Sequence, residues 1–180
     1  MDLQSLSCHS TDKMSLLHQL IIASLAAFVA AQCPGDFFES GGRCYSVIDA
    51  PGVNMTWDEC RTACQAKDGA ELSTDLATFE TAEELEVFAI TWLEESQNYP
   101  KDPNMWIGAE KVDGNWQTID GLPVTHQNVM WQESHPHDMG AKVFLQDITI
   151  ANGINSFGRL YYHCSMGLYE HHSRCLCRAK

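Results

Sequence analysis

Thr56-Trp57-Asp58-Glu59-Cys60-Arg61-Thr62-Ala63-Cys64 is the stretch from which the rest of the chain can be read. Thr56 is a favoured N-cap, and Glu59, three residues on, completes a capping box in which side chain and backbone satisfy each other's orphan groups. Trp57, Cys60 and Cys64 then recur at i, i+3 and i+7, so a helix starting here turns one apolar, sulfur-bearing face inward. Asp68-Gly69 is the expected stop.

Working outward toward the N-terminus, Cys33 and Cys44 flank Gly35, Gly41 and Gly42, a turn-rich interval suited to a cystine-closed hairpin. Tyr45, Val47 and Ile48 read as a strand ended by Pro51-Gly52, and Asn54-Met55-Thr56 is an acceptor sequon for N-glycosylation in an exposed loop. Toward the C-terminus a second helix is expected over residues 80–94, with Leu85, Phe88, Ala89, Trp92 and Leu93 as its apolar stripe. Glu83, Glu84 and Glu86 are its solvated face, favourably placed near the helix N-terminus. From Pro100 onward the helical period disappears. Met105-Trp106-Ile107-Gly108 reads as a strand, Asp113-Gly114 as a hairpin turn with Trp116 facing the core, and residues 143–148 and 160–164 as further strands. A final strand includes Leu176 and Cys177. Residues 123–138 form a long stretch without regular elements, and long organised loops are usually functional. Two helices followed by mostly antiparallel strands and a long loop region, stapled by disulfides, define an α+β domain.

Composition narrows the function classes. Eleven Lys plus Arg against 24 Asp plus Glu give a formal charge of -13, which leaves no basic footprint for nucleic acid and disfavours an anionic membrane surface. The apolar run from Leu16 through Ala31 resembles a leader, with small residues Val29-Ala30-Ala31 before an expected cleavage at Gln32. It is too short and Ala-rich for membrane insertion. Residues 1–31 are thus read as a signal peptide, with Met14 as a candidate true start, and residues 32–180 as one secreted, extracellular domain. Secretion makes the cysteines structural. Seven of the eight (Cys33, Cys44, Cys60, Cys64, Cys164, Cys175 and Cys177) lie after that leader, so one is odd. Their spacing does not suit a zinc finger.

In order and spacing, these pieces resemble the C-type lectin-like domain family in its long form. The pattern runs from Cys33 and Cys44 through Trp57–Cys64, Gly69-Ala70-Glu71-Leu72, Trp106-Ile107-Gly108-Ala109, Trp116, Asp120-Gly121 and Trp131 to Cys164 and Cys177. The resemblance implies a Cys33–Cys44 pair, a Cys64–Cys177 bridge, and a core role for Trp106, Ile107 and Gly108. The family's usual partner for Cys164 is absent, because Val143 and Phe144 stand in its place. Cys60 and Cys175 are extra. Cys60 and Cys64 share a helix face and Cys175 and Cys177 a strand face, so Cys60–Cys175 beside Cys64–Cys177 is one reading, with Cys164 odd and either buried alone or available for a disulfide-linked homodimer. Pairing Cys164 with Cys175, leaving Cys60 over, is the other.

The resemblance also implies where a ligand sits. Sugar-binding members hold Ca²⁺, a hard cation that needs oxygen ligands, through a Glu-Pro-Asn or Gln-Pro-Asp triplet and an Asn-Asp pair. This chain has His135-Pro136-His137 and Leu160-Tyr161-Tyr162-His163 there. The usual triplet is absent and no metal or other cofactor is expected; a rearranged Ca²⁺ site would have to draw on Glu133, Asp138 and Asp147. His135, His137 and Asp138 could suit Zn²⁺, but they lie in a loop and no HExxH motif is present. The histidines near the C-terminus read as surface or loop residues. With no nucleophile motif or phosphate loop, an enzyme is not expected. The candidate ligand-binding groups are His135, His137, Asp138, Tyr161 and Tyr162, which offer hydrogen bonds and stacking. The leading expectation is carbohydrate recognition in innate immunity without the usual Ca²⁺ motif. The alternative is Ca²⁺-independent binding of an extracellular protein, and a weaker third is a toxin-like or structural subunit joined through Cys164.

Overall fold

The structure, a computed structural model, describes residues 33–67, 73–96, 104–125, 131, 136, 140–147, 160–164 and 172–180. The expected leader and its cleavage point lie outside these residues. Cys33–Lys180 forms one unit.

The capping box forms as read. Thr56 Oγ1 accepts from the Glu59 backbone N–H at 3.2 Å, while the Thr56 N–H donates to Glu59 Oε2 at 2.8 Å. Helix α1 (Trp57–Gln65) follows, burying Trp57, Cys60 and Cys64. It ends with Ala66 as C-cap, before the expected stop at Asp68-Gly69. Before it come β1 (Phe38–Ser40) and β2 (Arg43–Asp49), the expected hairpin, closed by Cys33–Cys44.

After α1 runs a short strand, β3 (Thr74–Leu76), that the pattern did not announce. Helix α2 spans Ala82–Glu95 rather than residues 80–94, because Thr81 supplies a cap by accepting from the Glu84 N–H. The remaining strands are β4 (Asn104–Val112), β5 (Asn115–Thr118), β6 (Lys142–Asp147), β7 (Leu160–Cys164) and β8 (Arg174–Ala179). Asp113 and Gly114 both take positive φ, the backbone demanded by a two-residue turn between β4 and β5. The sheet order is β1-β2-β8-β4-β6-β7, with β3 on β8 and β5 on β4. All pairs are antiparallel except β4 with β8, which meet in parallel at Trp106↔Cys175.

Strand alternation divides the interior into two cores. Met105, Ile107 and Ala109 of β4, Val143 and Leu145 of β6, and Leu176 of β8 join Leu85, Phe88, Ala89 and Trp92 of α2. The intervening Trp106, Phe144, Cys175 and Cys177 join Trp57, Cys60 and Cys64 of α1 on the other face. Trp116 is half-buried at the edge of the α2-side core. Two tryptophans tie the α1 entry to β4: Trp57 Nε1 donates to Ile107 O at 2.7 Å and Trp106 Nε1 to Met55 O at 2.8 Å.

Bridges Cys60–Cys175 and Cys64–Cys177 lie side by side between α1 and β8. The alternative pairing of Cys164 with Cys175 is not the one adopted. Cys164 takes part in none of the three bridges and is 3% exposed within the α2-side core. Of the two fates expected for the odd cysteine, burial is the one adopted, and a disulfide to a second chain does not fit a side chain so enclosed.

Glu84 also departs from its reading as solvated. It accepts from Arg43 Nε at 2.8 Å and from the Tyr45 hydroxyl at 3.3 Å, and sits 3.5 Å from buried Arg178. One carboxylate thus locks the start of α2 to β2 and β8.

Candidate functional site

The long stretch anticipated over residues 123–138 leaves β5 and returns to β6, and its described points show how the sheet holds it. Pro123 bridges Gln117, Val124 is buried, and Trp131 pairs in parallel with Tyr162 of β7. The Trp131 ring lies between Trp116 and Tyr162, with centroids 5.5 Å from each and edge-to-face angles, an arrangement that aromatic quadrupoles favour. Pro136 is half-buried, Gly140 is buried, and the Lys111 N–H donates to Ala141 O at 2.8 Å where the chain re-enters the sheet. The loop is pinned at both ends.

Of the five candidate ligand-binding residues, His135, His137 and Asp138 lie outside the described residues. Tyr161 occupies β7 opposite Gln146, and Gln146 in turn lies opposite Asn104 of β4. This register makes a row of polar residue types, Asn104, Gln146 and Tyr161, across three strands at one level of the sheet. Gln146 Nε2 donates to Asn104 Oδ1 at 3.2 Å, and both are half-buried. Neither was singled out from sequence. The available signal was a polar residue at the end of each apolar run, 105–109 and 143–145.

Tyr162 is a correction. It is 0% exposed and packs in the α2-side core against Trp131, so it cannot be a stacking platform for a ligand. The cause is register: Val143 pairs with Cys164 and Leu145 with Tyr162, and the inward parity of Val143 and Leu145 carries to both. Burial pushes its phenol far above the usual range, and the nearby Glu84 charge acts in the same sense. Tyr45 is raised for the same two causes in the same order.

His172 is also not a surface histidine. It is 7% exposed, with its ring 4.6 Å from Trp106 and 4.4 Å from Phe144, and its backbone pairs with Met55. His163 holds a register position opposite Phe144, and His171 lies outside the described residues.

The oxygen set that would hold Ca²⁺ in the manner of sugar-binding relatives does not fit here. At the second of its two regions, residues 160–163, the sequence Leu-Tyr-Tyr-His offers neither Asn nor Asp. Among the described residues no group of three or more His, Cys, Asp or Glu is arranged to hold a metal ion, and no helix is long and apolar enough to cross a membrane. Asn54 of the sequon is exposed, two residues before the Thr56 cap.

The comparisons with known proteins agree with this architecture. The model of the lectin C-type domain matches residues 53–149, more than half of the chain, and the protein belongs to that family. Solved structures show the same fold at low identity. The C-type lectin CEL-I from Cucumaria echinata is 16% identical, with TM-score 0.60, over 83% of this chain and 98% of that one. Human lithostathine is 20% identical with TM-score 0.59, over 83% and 92%. The Ca²⁺-independent C-type lectin SPL-2 from Saxidomus purpuratus is 18% identical with TM-score 0.60, over 81% and 92%. No curated protein matches the chain in sequence.

Proposed function

We propose that this protein is a secreted, extracellular recognition domain that binds carbohydrate through its long-loop surface without Ca²⁺, in an innate-immune role. The groups that would contact sugar are His135, His137 and Asp138 of the loop and Tyr161 of β7. Imidazole, carboxylate and phenol together offer the donors, acceptors and flat apolar face that a sugar ring requires.

The observation that carries this reading is an intact lectin fold in which no group of three or more His, Cys, Asp or Glu among the described residues is arranged to hold a metal ion. The family scaffold and its loop anchors remain, while His135-Pro136-His137 and Leu160-Tyr161-Tyr162-His163 stand where sugar-binding relatives carry their oxygen ligands. The exposed Asn54 sequon accords with passage through the secretory route, and the reading includes an N-linked glycan there.

The test is a mixed glycan array probed with the chain recovered from the medium of a secreting host, in parallel with Ca²⁺ and with EDTA. Binding that is the same in both, and is lost in His135→Ala/His137→Ala, is the expected result. Binding abolished by EDTA would overturn metal independence. A blank array from folded protein would overturn the carbohydrate reading in favour of an extracellular protein ligand.

A further inference from the structure

The outer face of α2 carries side chains that the fold does not use. Leu85, Phe88, Ala89 and Trp92 form its buried stripe. On the opposite side Ile90 is 68% exposed and Val87, one turn before it, is 43% exposed. Glu83, Glu86 and Glu94 stand at i−7, i−4 and i+4 from Ile90 and are all exposed, so helical geometry sets them around it. The helix, Ala82–Glu95, contains no Lys or Arg. Its last turn holds Glu94 and Glu95, where the macrodipole disfavours negative charge. The ion pairs among the described residues involve none of Glu83, Glu86 and Glu94. Local preference is thus violated twice on one helix, by an exposed β-branched apolar side chain and by the acids of the last turn. Such violations concentrate at functional surfaces.

The apolar part continues into a recess. Val87 lines a cleft of about 300 Å³ together with Gly41 of the β1–β2 turn, Glu80, Thr81 and Glu83. Arg43 borders the same cleft, but its guanidinium is held by Glu80 at 3.2 Å and Glu84 at 2.8 Å, so Glu83, stabilised by the helix N-terminus and the Thr81 hydroxyl, keeps its charge without a cation beside it.

We propose that this face docks a cationic amphipathic segment of a partner protein. An apolar side chain of the segment would rest on Ile90 and Val87 at the mouth of the cleft, and flanking Lys or Arg would meet Glu83, Glu86 and Glu94. Charge selects this occupant over others. A second copy of this chain would bring the same acids face to face, and an anionic lipid surface or a nucleic acid would be repelled in the same way. The proposal is independent of sugar binding at the long loop.

The experiment measures fluorescence anisotropy of a labelled helical peptide of alternating Lys and Leu patches against the full chain. Ile90→Ser should weaken binding by about tenfold, and Glu86→Gln/Glu94→Gln by a similar factor, consistent with loss of a central anchor and its charged rim. Asp58→Asn/Asp113→Asn removes the same charge from exposed sites elsewhere and should change binding less than about twofold. Far-UV circular dichroism checks that each variant is folded. Equal weakening by the two charge pairs would reduce the effect to the chain's overall acidity and overturn the proposal. So would an unchanged Ile90→Ser, or no binding by the native chain. His135→Ala/His137→Ala should leave peptide binding intact, which separates failure here from failure at the loop.

Discussion

Replacing Gly108 by alanine adds one carbon where β4 passes closest to the segment leaving β3. The Gly108 N–H donates to Ala77 O at 2.8 Å, and its carbonyl accepts from the Ile119 N–H at 2.9 Å. A Cβ there would lie 2.8 Å from Leu76 O, 2.9 Å from Ile119 Cδ1 and 2.9 Å from Thr78 Cγ2. The two side-chain ends can give way. The Leu76 carbonyl cannot, because the Ala77 N–H next to it donates to Leu176 O at 2.8 Å and fixes that peptide against β8. Relief therefore requires β4 and β3 to separate, at a cost of about 2–3 kcal/mol, the usual range for forced overpacking. For a domain of this size that is a fall in Tm of roughly 5–10 °C. Gly114→Ala is the companion variant. It has open space but a φ of +84°, so it tests conformation alone and should cost about 1 kcal/mol. Urea unfolding with the disulfides intact gives both numbers. A Gly108→Ala variant within 0.5 kcal/mol of the native chain, roughly the level expected of an inert surface change, would refute the claim that this crossing is rigid.

Two further expectations follow from bonds that can be removed singly. Bridges Cys60–Cys175 and Cys64–Cys177 close interleaved loops that overlap over nearly their whole length, with sequence separations of 115 and 113, so either one removes most of the chain entropy that both remove. Cys60→Ser/Cys175→Ser alone should then cost about 1–2 kcal/mol and the four-fold variant about 5 kcal/mol; strictly additive losses in thermal unfolding would contradict the overlapping-loop account. At Asp120, partial burial works to raise the carboxyl, but Lys180 at 2.6 Å, with Thr78 and Arg178, holds it below its ordinary value of 3.8. In that window the unfolded chain binds the proton first, so this contribution to stability is complete above the ordinary value and is lost as pH falls through the folded one. Asp120→Asn should accordingly flatten the decline of Tm below about pH 4.

The parts of the fold visible in sequence were those specified locally. The capping box at Thr56, the sulfur-bearing face of α1 and the Asp113-Gly114 turn each depend on residues within one turn of each other. What escaped depends on distant partners. Residues 74–79 are buried throughout, so β3 shows no alternation, and Thr74 and Asp75 disguise it as loop. Glu84 reads as solvated until β2 and β8 bring Arg43 and Arg178 to it. Tyr161 and Tyr162 are equivalent by type, and only the register with β6 decides which is core. The same limit applies to the site: Asn104 and Gln146 become neighbours only through the β4–β6 pairing.

β8 lies between β2 and β4, also carries β3, and supplies one cysteine to each long bridge. It is also the last strand to be synthesised. Until Arg174–Ala179 has emerged, β2 and β3 lack their common partner and the Cys60 and Cys64 thiols of α1 lack the cysteines they bridge in the fold. Folding from the N-terminus during synthesis, the usual order for domains, can pair β1 with β2 and β4 with β5, β6 and β7, but cannot join these two groups of strands. Closure of both long bridges, and the joining of the two groups of strands, thus waits on β8 alone.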